Sequence, residues 1–392
     1  MNNRTIAVFG AGATKACGGP LTNEILPDAL ASRRHLARQD HINLLERFLV
    51  ENFNLPAPRE RAPEHFPPLP LVLSLVDTAL DRDDAFAAHW TPSELRKVRA
   101  ALEYAIFALL EYRLRTIGPH YRHFLDALYA THRPENVTVL SLNYDIIADN
   151  AMSAVAERRG QFGLPDYRCD IATEAYRRES KFGTLLKIHG SLNWLYCPNC
   201  HRLDLGIAGS GRRTVKTLNQ FYGAVDLDAK YQGDGTQCED CRTRLRPVLI
   251  TPTHLKDYRN PHIARVWYEA ARALREAKRA IFVGYSMPED DVDVIYLFKR
   301  GLSVDPRAIT VVEYATGAGA ALDKHPVGLR FRTLFGGAID WRTDGFGAWI
   351  EDAAPAGFAP PPARSRRRTS TQRAPVERKR AAADAKRAAG KK

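Results

Sequence analysis

The sequence has few cysteines and no long apolar run. Six cysteines in 392 residues are too few for a small secreted scaffold held together by disulfides. No apolar run approaches the ~18–20 residues of a membrane-spanning helix, and Thr5–Phe9 is too short for the core of a signal peptide. We therefore expect a protein of the reducing cytoplasm with no membrane contact. Its 45% apolar and 26% charged residues are typical of a globular protein and exclude a coiled coil or a collagen-like fibre.

The main part of the chain also lacks a strong net charge. The whole sequence carries +12, but residues 364–392 hold twelve basic and two acidic residues, which leaves only +2 for residues 1–363. Because no apolar periodicity follows Phe358, we predict that residues 354–392 form a disordered basic tail. The stretch 364–392 is a candidate for non-specific nucleic-acid contact. Keeping an oligomer soluble and binding an acidic partner are the alternatives.

Predicted strands and helices alternate along the chain. Short apolar runs predict strands at residues 4–9, 137–142, 185–188, 248–250, 280–283 and 309–312. Helical spacing of apolar residues predicts helices at 263–277 and 292–302, between the later strands. This α/β pattern favours a parallel sheet with helices on both faces. Residues 30–130 have mostly helical patterns and indicate a helical insertion after the first strand–helix unit.

The first predicted strand runs into a glycine-rich turn, Gly10-Ala11-Gly12-Ala13-Thr14. A strand, a glycine-rich turn and a helix open many nucleotide-binding units. Lys15 stands where the third glycine of the G-x-G-x-x-G fingerprint would lie, so the motif is incomplete. The turn therefore favours nucleotide binding and argues against a standard hydride-transfer dehydrogenase.

Four of the six cysteines form two C-x-x-C pairs. Cys197 and Cys200 make the first pair, and Cys238 and Cys241 make the second. Two such pairs suit a structural zinc site, because each pair binds from one tight turn and four thiolates leave no position for water. The spacer is longer than the usual ~15–20 residues, which allows an insertion between the pairs. Two unrelated turn cysteines or a redox pair are the alternatives, and His201 is a competing ligand.

Polar residues lie at or just beyond the ends of several predicted parallel strands. They include Asn143, His189, Ser286 and Glu313. Ligands of open α/β sheets bind at this carboxyl edge. Three of these positions also have an ordinary structural interpretation: Asn143 as a helix N-cap, His189 as a hydrogen-bonded, partly buried histidine, and Glu313 as a surface carboxylate.

Six segments of the sequence, taken in order, resemble the sirtuin family and its bacterial sirtuin-like NAD-hydrolase branch. They span most of residues 4–315 and comprise residues 10–14, 19–22, 142–145, 187–194, the two cysteine pairs and 284–288. The resemblance implies a Rossmann-like domain over residues 1–353, with the helical insertion and a zinc ribbon at about 194–246. It also implies that NAD binds between these parts.

The resemblance further implies roles for individual residues. His189 corresponds to the family's catalytic histidine, and Asn143, with Asp145 beside it, corresponds to the asparagine at the nicotinamide ribose. An imidazole, with its ordinary pKa near ~6.5, can take a proton from a ribose hydroxyl or from water. The glycine-rich turn would hold the pyrophosphate through its backbone N–H groups. The residues implied to bind NAD are Gly10, Ala11, Gly12, Ala13, Thr14, Asn23, Gly284, Ser286 and Glu313.

Departures from the sirtuin pattern bear on the reaction. Leu142 stands where deacylating sirtuins have a glutamine, Asn23 replaces the arginine of their first loop, and residues 246–252 replace their Phe-Gly-Glu element. Residues 284–291 resemble the NAD-hydrolase branch, which is associated with phage defence by NAD depletion. We therefore predict a hydrolase that releases nicotinamide and ADP-ribose, gated by a homo-oligomer or by an activating protein partner. The alternatives are an NAD-dependent protein-lysine deacylase and a non-catalytic module that senses NAD or ADP-ribose.

Overall fold

The computed structural model describes residues 4–161, 163–208, 214–215, 237–354 and 358. Its centre is a parallel sheet of seven strands. They are β1 (Thr5–Phe9), β2 (Val137–Ser141), β3 (Leu164–Asp166), β4 (Lys181–Lys187), β10 (Arg279–Val283), β11 (Ile309–Val312) and β12 (Asp340–Arg342). Their order across the sheet is β12-β11-β10-β1-β2-β4-β3. All five residues of β1 and of β10 are buried, as expected for strands that are covered on both faces.

The remaining strands form two small antiparallel sheets. They are β5 (Gly190–Tyr196), β6 (Leu203–Leu205), β7 (Ile207–Ala208), β8 (Thr214–Val215) and β9 (Arg246–Leu249). Their orders are β6-β5-β9 and β7-β8. The strand expected at residues 248–250 is therefore not part of the parallel sheet, because β9 turns back beside β5. Gly190 permits this pairing, since it has a φ of +80° and a Cβ there would lie 1.9 Å from the carbonyl oxygen of Val248.

Helices lie on both faces of the large sheet and in a separate layer. They are α1 (Ala11–Ala16), α2 (Ile25–Ala31), α3 (Gln39–Phe53), α4 (Leu69–Arg82), α5 (Pro92–Arg113), α6 (His120–Thr131), α7 (Ile147–Arg158), α8 (Glu174–Arg178), α9 (Pro261–Glu276), α10 (Val292–Gly301), α11 (Pro326–Phe335) and α12 (Phe346–Ala353). The expected α/β class, with a helical insertion and a four-cysteine module, is confirmed. None of the helices in the described ranges is long and apolar enough to cross a membrane.

The apolar side chains divide into two cores. The larger core contains the central sheet, α6 and α7, and α12 closes it through Trp349 and Phe346, which pack beside Phe124 of α6. The second core joins α2 to α5 with β5 and with the buried cysteines Cys197 and Cys238. The helical layer thus rests on the cysteine module, whereas α6 belongs to the large sheet. The domain boundaries expected from the sequence stay predictions, and the tail beyond residue 358 lies outside the described residues.

The topology opens a crevice beside β1. The strands β2, β3 and β4, which follow β1 in the sequence, lie on one side of it. The later strands β10, β11 and β12 lie on the other side. The direction of building therefore reverses between β1 and β10. Ligands of doubly wound sheets bind at such a switch point, outside the carboxyl ends of the strands.

Candidate functional site

A cavity of about 520 Å³ lies at this carboxyl edge. It brings together all but one of the catalytic and NAD-binding residues expected from the sequence, which are Gly10, Ala11, Gly12, Thr14, Asn23, Asn143, Asp145, His189, Gly284, Ser286 and Glu313. The exception is Ala13, which is fully buried and does not line the cavity. A second cavity of about 310 Å³ shares Gly12, Gly284, Glu313 and Tyr314 with the first. Because they share these residues, the two cavities adjoin and form a row of cavities along the carboxyl ends of the strands.

Two glycine turns meet at the switch point between β1 and β10. The amide of Gly12 donates to the carbonyl oxygen of Gly284, 2.8 Å away, and the amide of Ala13 donates to Gly10 at 3.0 Å. Gly284 has a φ of +59°, and a Cβ on it would lie 2.3 Å from the nitrogen of Ala13. These glycines therefore permit backbone-to-backbone packing. The amides of Gly12 and Ala13 already have partners within the protein, in contrast to the free anion-binding groups that the sequence suggested.

Asn143 ties the glycine turn to the end of β2. Its Nδ2 donates to the carbonyl oxygen of Gly10 at 2.8 Å and to Oγ1 of Thr14 at 2.9 Å. Because a carbonyl can only accept, the amide nitrogen must face Gly10, which fixes the orientation of the side chain. Asn143 does not cap α7. Its Oδ1 receives no hydrogen bond from the described residues, and this oxygen is the group that Asn143 can offer to a ligand.

Asp145 is fully engaged by the protein. Oδ2 accepts the hydroxyl of Thr14 at 2.5 Å, and Oδ1 accepts the amide of Ile147 at 2.9 Å, in an Asx-turn that starts α7. Burial raises the pKa of Asp145, and the nearby ammonium of Lys187 opposes that shift. With both oxygens occupied, Asp145 has the geometry of a residue that orients Thr14 and Asn143.

His189 has one engaged and one free ring nitrogen. Nδ1 donates to the carbonyl oxygen of Leu142 at 3.0 Å, which fixes the tautomer because a carbonyl cannot donate. Nε2 is buried and has no hydrogen-bond partner within the described part of the chain. Burial lowers the pKa of His189, so the imidazole is held neutral with its lone pair on Nε2. Nε2 is therefore the atom of His189 that can accept a hydrogen bond from a ligand in the cavity.

The backbone around His189 is held on both sides. The indole of Trp267, on α9, donates to the carbonyl oxygen of Ile188 at 2.8 Å. The amide of Ile250, just after β9, donates to the carbonyl oxygen of His189 at 2.8 Å. The imidazole is therefore placed by the large sheet and by the small antiparallel sheet together.

The other predicted residues occupy the rim. Ser286 and Asn23 are exposed at the cavity, and the guanidinium of Arg330 donates to the carbonyl oxygen of Ser286 at 2.8 Å. Glu313 lies between the two cavities, and burial raises the pKa of its carboxyl group. Its Oε1 accepts the amide of Tyr314 at 3.0 Å.

Several residues of the site were not expected from the sequence. Lys256 lines the cavity with its ammonium 2.6 Å from Oδ1 of Asp291, and it also donates to the carbonyl oxygen of Asp290 at 2.5 Å. The hydroxyl of Tyr285 donates to Asp291 Oδ2 at 3.2 Å. Asp290 and Asp291 end the segment 284–291, and the resemblance of that segment was the one available signal. The position of Lys256 depends on tertiary structure that no local pattern reveals.

The four cysteines form one compact cluster. The Sγ atoms of Cys197, Cys200, Cys238 and Cys241 all lie within 4.8 Å of one another, and the cluster could hold a metal ion. The residues after the two pairs, His201 and Arg242, have φ of +63° and +60°, so both pairs form the same kind of turn.

The chemistry of this cluster suits zinc. Four sulfur ligands around one ion are typical of a structural zinc site and leave no position for a substrate. Both Cys197 and Cys238 are buried in the core that carries α2 to α5. His201 is not part of the cluster, since its Nδ1 is engaged with the hydroxyl of Tyr196 at 2.5 Å. The cluster is thus suited to hold the module together.

No protein-family model and no curated protein matches the chain. Similar solved structures include a Sir2 homologue in complex with NAD, at 13% identity and a TM-score of 0.42, covering 90% of this chain and 89% of that chain. A structure concerned with sirtuin substrate affinity has 12% identity and a TM-score of 0.39, covering 90% and 93%. Sir2Tm bound to a propionylated peptide has 13% identity and a TM-score of 0.36, covering 91% and 94%.

Proposed function

We propose that the chain binds NAD in the row of cavities and hydrolyses its nicotinamide–ribose bond. The products are nicotinamide, ADP-ribose and a proton, with water as the other substrate. The observation that carries the proposal is His189, a buried neutral imidazole whose Nε2 has no partner in the described structure. It lies in the cavity beside Asn143, at the carboxyl edge of an α/β sheet.

The chemistry of the bond matches these two groups. Loss of nicotinamide from the anomeric carbon builds oxocarbenium-like charge on the ribose, as in other glycoside cleavages. Nε2 of His189 accepts the proton of a ribose hydroxyl or of the attacking water. Oδ1 of Asn143 accepts a second hydroxyl or orients that water. Both groups are held by backbone contacts, so the reacting geometry exists before the substrate arrives.

The rest of NAD would extend along the rim. The glycine turns line both cavities at the middle of the row, and the pyrophosphate would lie against them. Glu313, between the two cavities, would accept the hydroxyls of the adenosine ribose. Ser286 and Asn23 would contact the same ligand from opposite rims. This arrangement requires the ligand to span both cavities.

Two observations favour water over an acyl-lysine peptide as the acceptor. Lys256 and Asp291 join two walls of the cavity through an ion pair whose side chains are only 3% and 12% exposed. Both charges lie near enough to influence the pKa of His189. The sequence also departs from deacylating sirtuins at Leu142, Asn23 and residues 246–252, on the side that clamps a peptide. These departures from the deacylating pattern favour water as the acceptor.

We further propose that the activity is gated and serves phage defence by NAD depletion. The support is the resemblance of residues 284–291 to the bacterial NAD-hydrolase branch. An ungated hydrolase would drain the NAD of its own cell, so an oligomer or an activating protein partner must control it.

The test is incubation of the purified chain with NAD, with and without an acetylated lysine peptide, followed by chromatography of the products. Nicotinamide and ADP-ribose in the absence of peptide support the hydrolase. Release of nicotinamide only with peptide, together with acyl-ADP-ribose, would replace it by a deacylase. NAD binding without turnover, at any protein concentration and with candidate partners added, would replace it by a sensing module.

A further inference from the structure

A buried ion pair lies directly behind the site. Lys187 is the last residue of β4 and Asp149 lies in the first turn of α7, and both side chains are completely buried. The ammonium nitrogen lies 3.1 Å from Oδ2 of Asp149. Neither residue lines the cavity. Because two charges lose their hydration when they are buried, such a pair is a poor device for stability alone.

The ammonium of Lys187 reaches three acceptors. Besides Asp149 it donates to the carbonyl oxygen of Asp145 and, at 3.5 Å, to that of Tyr144. An ammonium has three hydrogens, so its donor capacity is used completely. Oδ1 of Asp149 accepts the hydroxyl of Tyr167 at 2.6 Å, which completes the partners of the carboxylate.

The loop that carries Asn143 is therefore held by its own carbonyl groups. The carbonyl of Leu142 accepts from His189 Nδ1, and the carbonyl of Tyr144 accepts from the amide of Leu192 at 2.9 Å as well as from Lys187. Asn143 thus lies between two backbone carbonyls that accept hydrogen bonds. All of the donors belong to residues 187–192, the stretch that contains both Lys187 and His189. The two reactive side chains are thus fixed relative to each other by one set of contacts.

We propose that Lys187, held in place by Asp149, is a positioning residue that holds the 142–145 loop against His189. This inference rests on the proposed function for its effect on turnover. Its structural part, the ordering of the loop, stands without it. Small misplacement of catalytic groups can cost about a hundredfold in rate, so loss of the grip should reduce kcat.

The test uses a variant without either charge, Lys187→Met with Asp149→Leu. Replacing both members of a buried pair by apolar residues of similar size is often neutral for folding, whereas removing one member leaves an unpaired buried charge. Tyr167→Phe is the matched control, because it removes a hydrogen bond from Asp149 but leaves the three contacts of Lys187 intact. Should the apolar pair fail to fold, Lys187→Met with Asp149→Asn replaces it, because this pair keeps an acceptor for Tyr167 but leaves no donor at position 187.

Two readouts are measured on each folded variant. The first is hydrogen exchange of a peptide covering residues 142–147, followed by mass spectrometry and compared with the rest of the chain. The second is the kcat and KM of nicotinamide release from NAD. We expect faster exchange confined to this peptide and a kcat lower by about a hundredfold. The effect on KM should be smaller, because Lys187 itself does not line the cavity. Tyr167→Phe should match the parent protein in both.

The outcomes separate the two proposals. Unchanged loop exchange in the charge-free variant overturns the positioning role, whatever the activity. Faster exchange with unchanged kcat overturns the catalytic consequence. Absence of NAD cleavage by the parent protein counts against the proposed function alone, since the exchange experiment still decides whether Lys187 orders the loop.

Discussion

The hydroxyl of Thr14 donates a 2.5 Å hydrogen bond to Oδ2 of Asp145, which joins the turn after β1 to the loop after β2. The same hydroxyl accepts from Asn143 Nδ2, so the bonds run in one direction from the amide through the hydroxyl to the carboxylate. These two hydrogen bonds orient the side chain of Asn143 and leave its Oδ1 unused. It also explains a threonine at the end of the glycine turn, where a nucleotide-binding fingerprint does not require one.

Replacing Thr14 by valine should therefore destabilise the protein. Asp145 would lose one partner while remaining buried, at a cost of roughly 1–3 kcal/mol in the free energy of unfolding. Thr14→Ser, which keeps the hydroxyl, is the control. Denaturant unfolding of the two variants measures the difference, and equal stabilities would contradict the role of the hydroxyl.

The same pair of variants has a pH dependence of known sign. Burial raises the pKa of Asp145 in the folded protein, so the native state binds more protons than the unfolded state just above the ordinary pKa of ~3.9. The contribution of Asp145 to the free energy of unfolding is then lost as pH rises through the pKa that Asp145 has in the folded protein. Thr14→Val should raise that pKa further. The gap between valine and serine variants should be widest at neutral pH and should narrow toward pH ~4.

His189 should set the acidic limb of the pH–rate profile. Its pKa is lowered by burial, so the neutral base persists below the ordinary value of ~6.5 and turnover should continue there. As pH falls, His189 takes up a proton in the unfolded state before it does so in the folded state. The free energy of unfolding therefore decreases as pH falls from the unfolded-state pKa of His189 to its folded-state pKa. The measurement is kcat/KM against pH, with exposed His123 replaced by glutamine as the control. A limb at or above pH ~6.5 would contradict this assignment.

Gly284 should not tolerate a side chain. Gly284 and Gly317 both have positive φ, at +59° and +70°, so alanine is strained at either position. Only at Gly284 would the new Cβ also collide with backbone, 2.3 Å from the nitrogen of Ala13, whereas nothing lies within 4 Å at Gly317. We expect Gly284→Ala to cost roughly 1–3 kcal/mol more than Gly317→Ala. Thermal unfolding compares them, and equal losses would show that the turns have room to separate.

The four-cysteine cluster should contain about one zinc per chain, as expected for four thiolate ligands. Cys197→Ser should lower both the zinc content and the Tm, because the cluster is part of the core beneath α2 to α5. Cys169→Ser, outside the cluster, should change neither. Metal analysis with thermal unfolding measures both effects. Full Tm after complete removal of the metal would contradict a structural role.

The sequence was sufficient for the parts of the fold that carry strong local signals. The buried strands β1 and β10 each contain four consecutive apolar residues, and polar residues marked the carboxyl edge. The edge strand β12 (Asp340–Arg342) was missed because its three residues are only half-buried and form no apolar run. β9 was identified as a strand but assigned to the wrong sheet, because an apolar run in the sequence does not show which strand it pairs with.

The site could be predicted as a set of residues but not as a set of contacts. Asn143 and His189 follow strands, and this position alone placed them at one edge. Their orientation depends on carbonyl groups of Gly10 and Leu142, which no side-chain pattern reports. The pairing of Lys187 with Asp149 likewise depends on tertiary structure, since the two charges lie on different elements and are separated by most of α7, β3, α8 and β4.

The most direct test of the account follows nicotinamide release in a single turnover by the parent protein and by His189→Ala. NAD binding to both is measured by calorimetry under the same conditions. We expect similar affinity for NAD in the two proteins, release by the parent, and a rate lower by roughly 10²–10⁴-fold in the variant, as for loss of a general base. Equal rates of release, or no NAD binding by the parent protein, would contradict it.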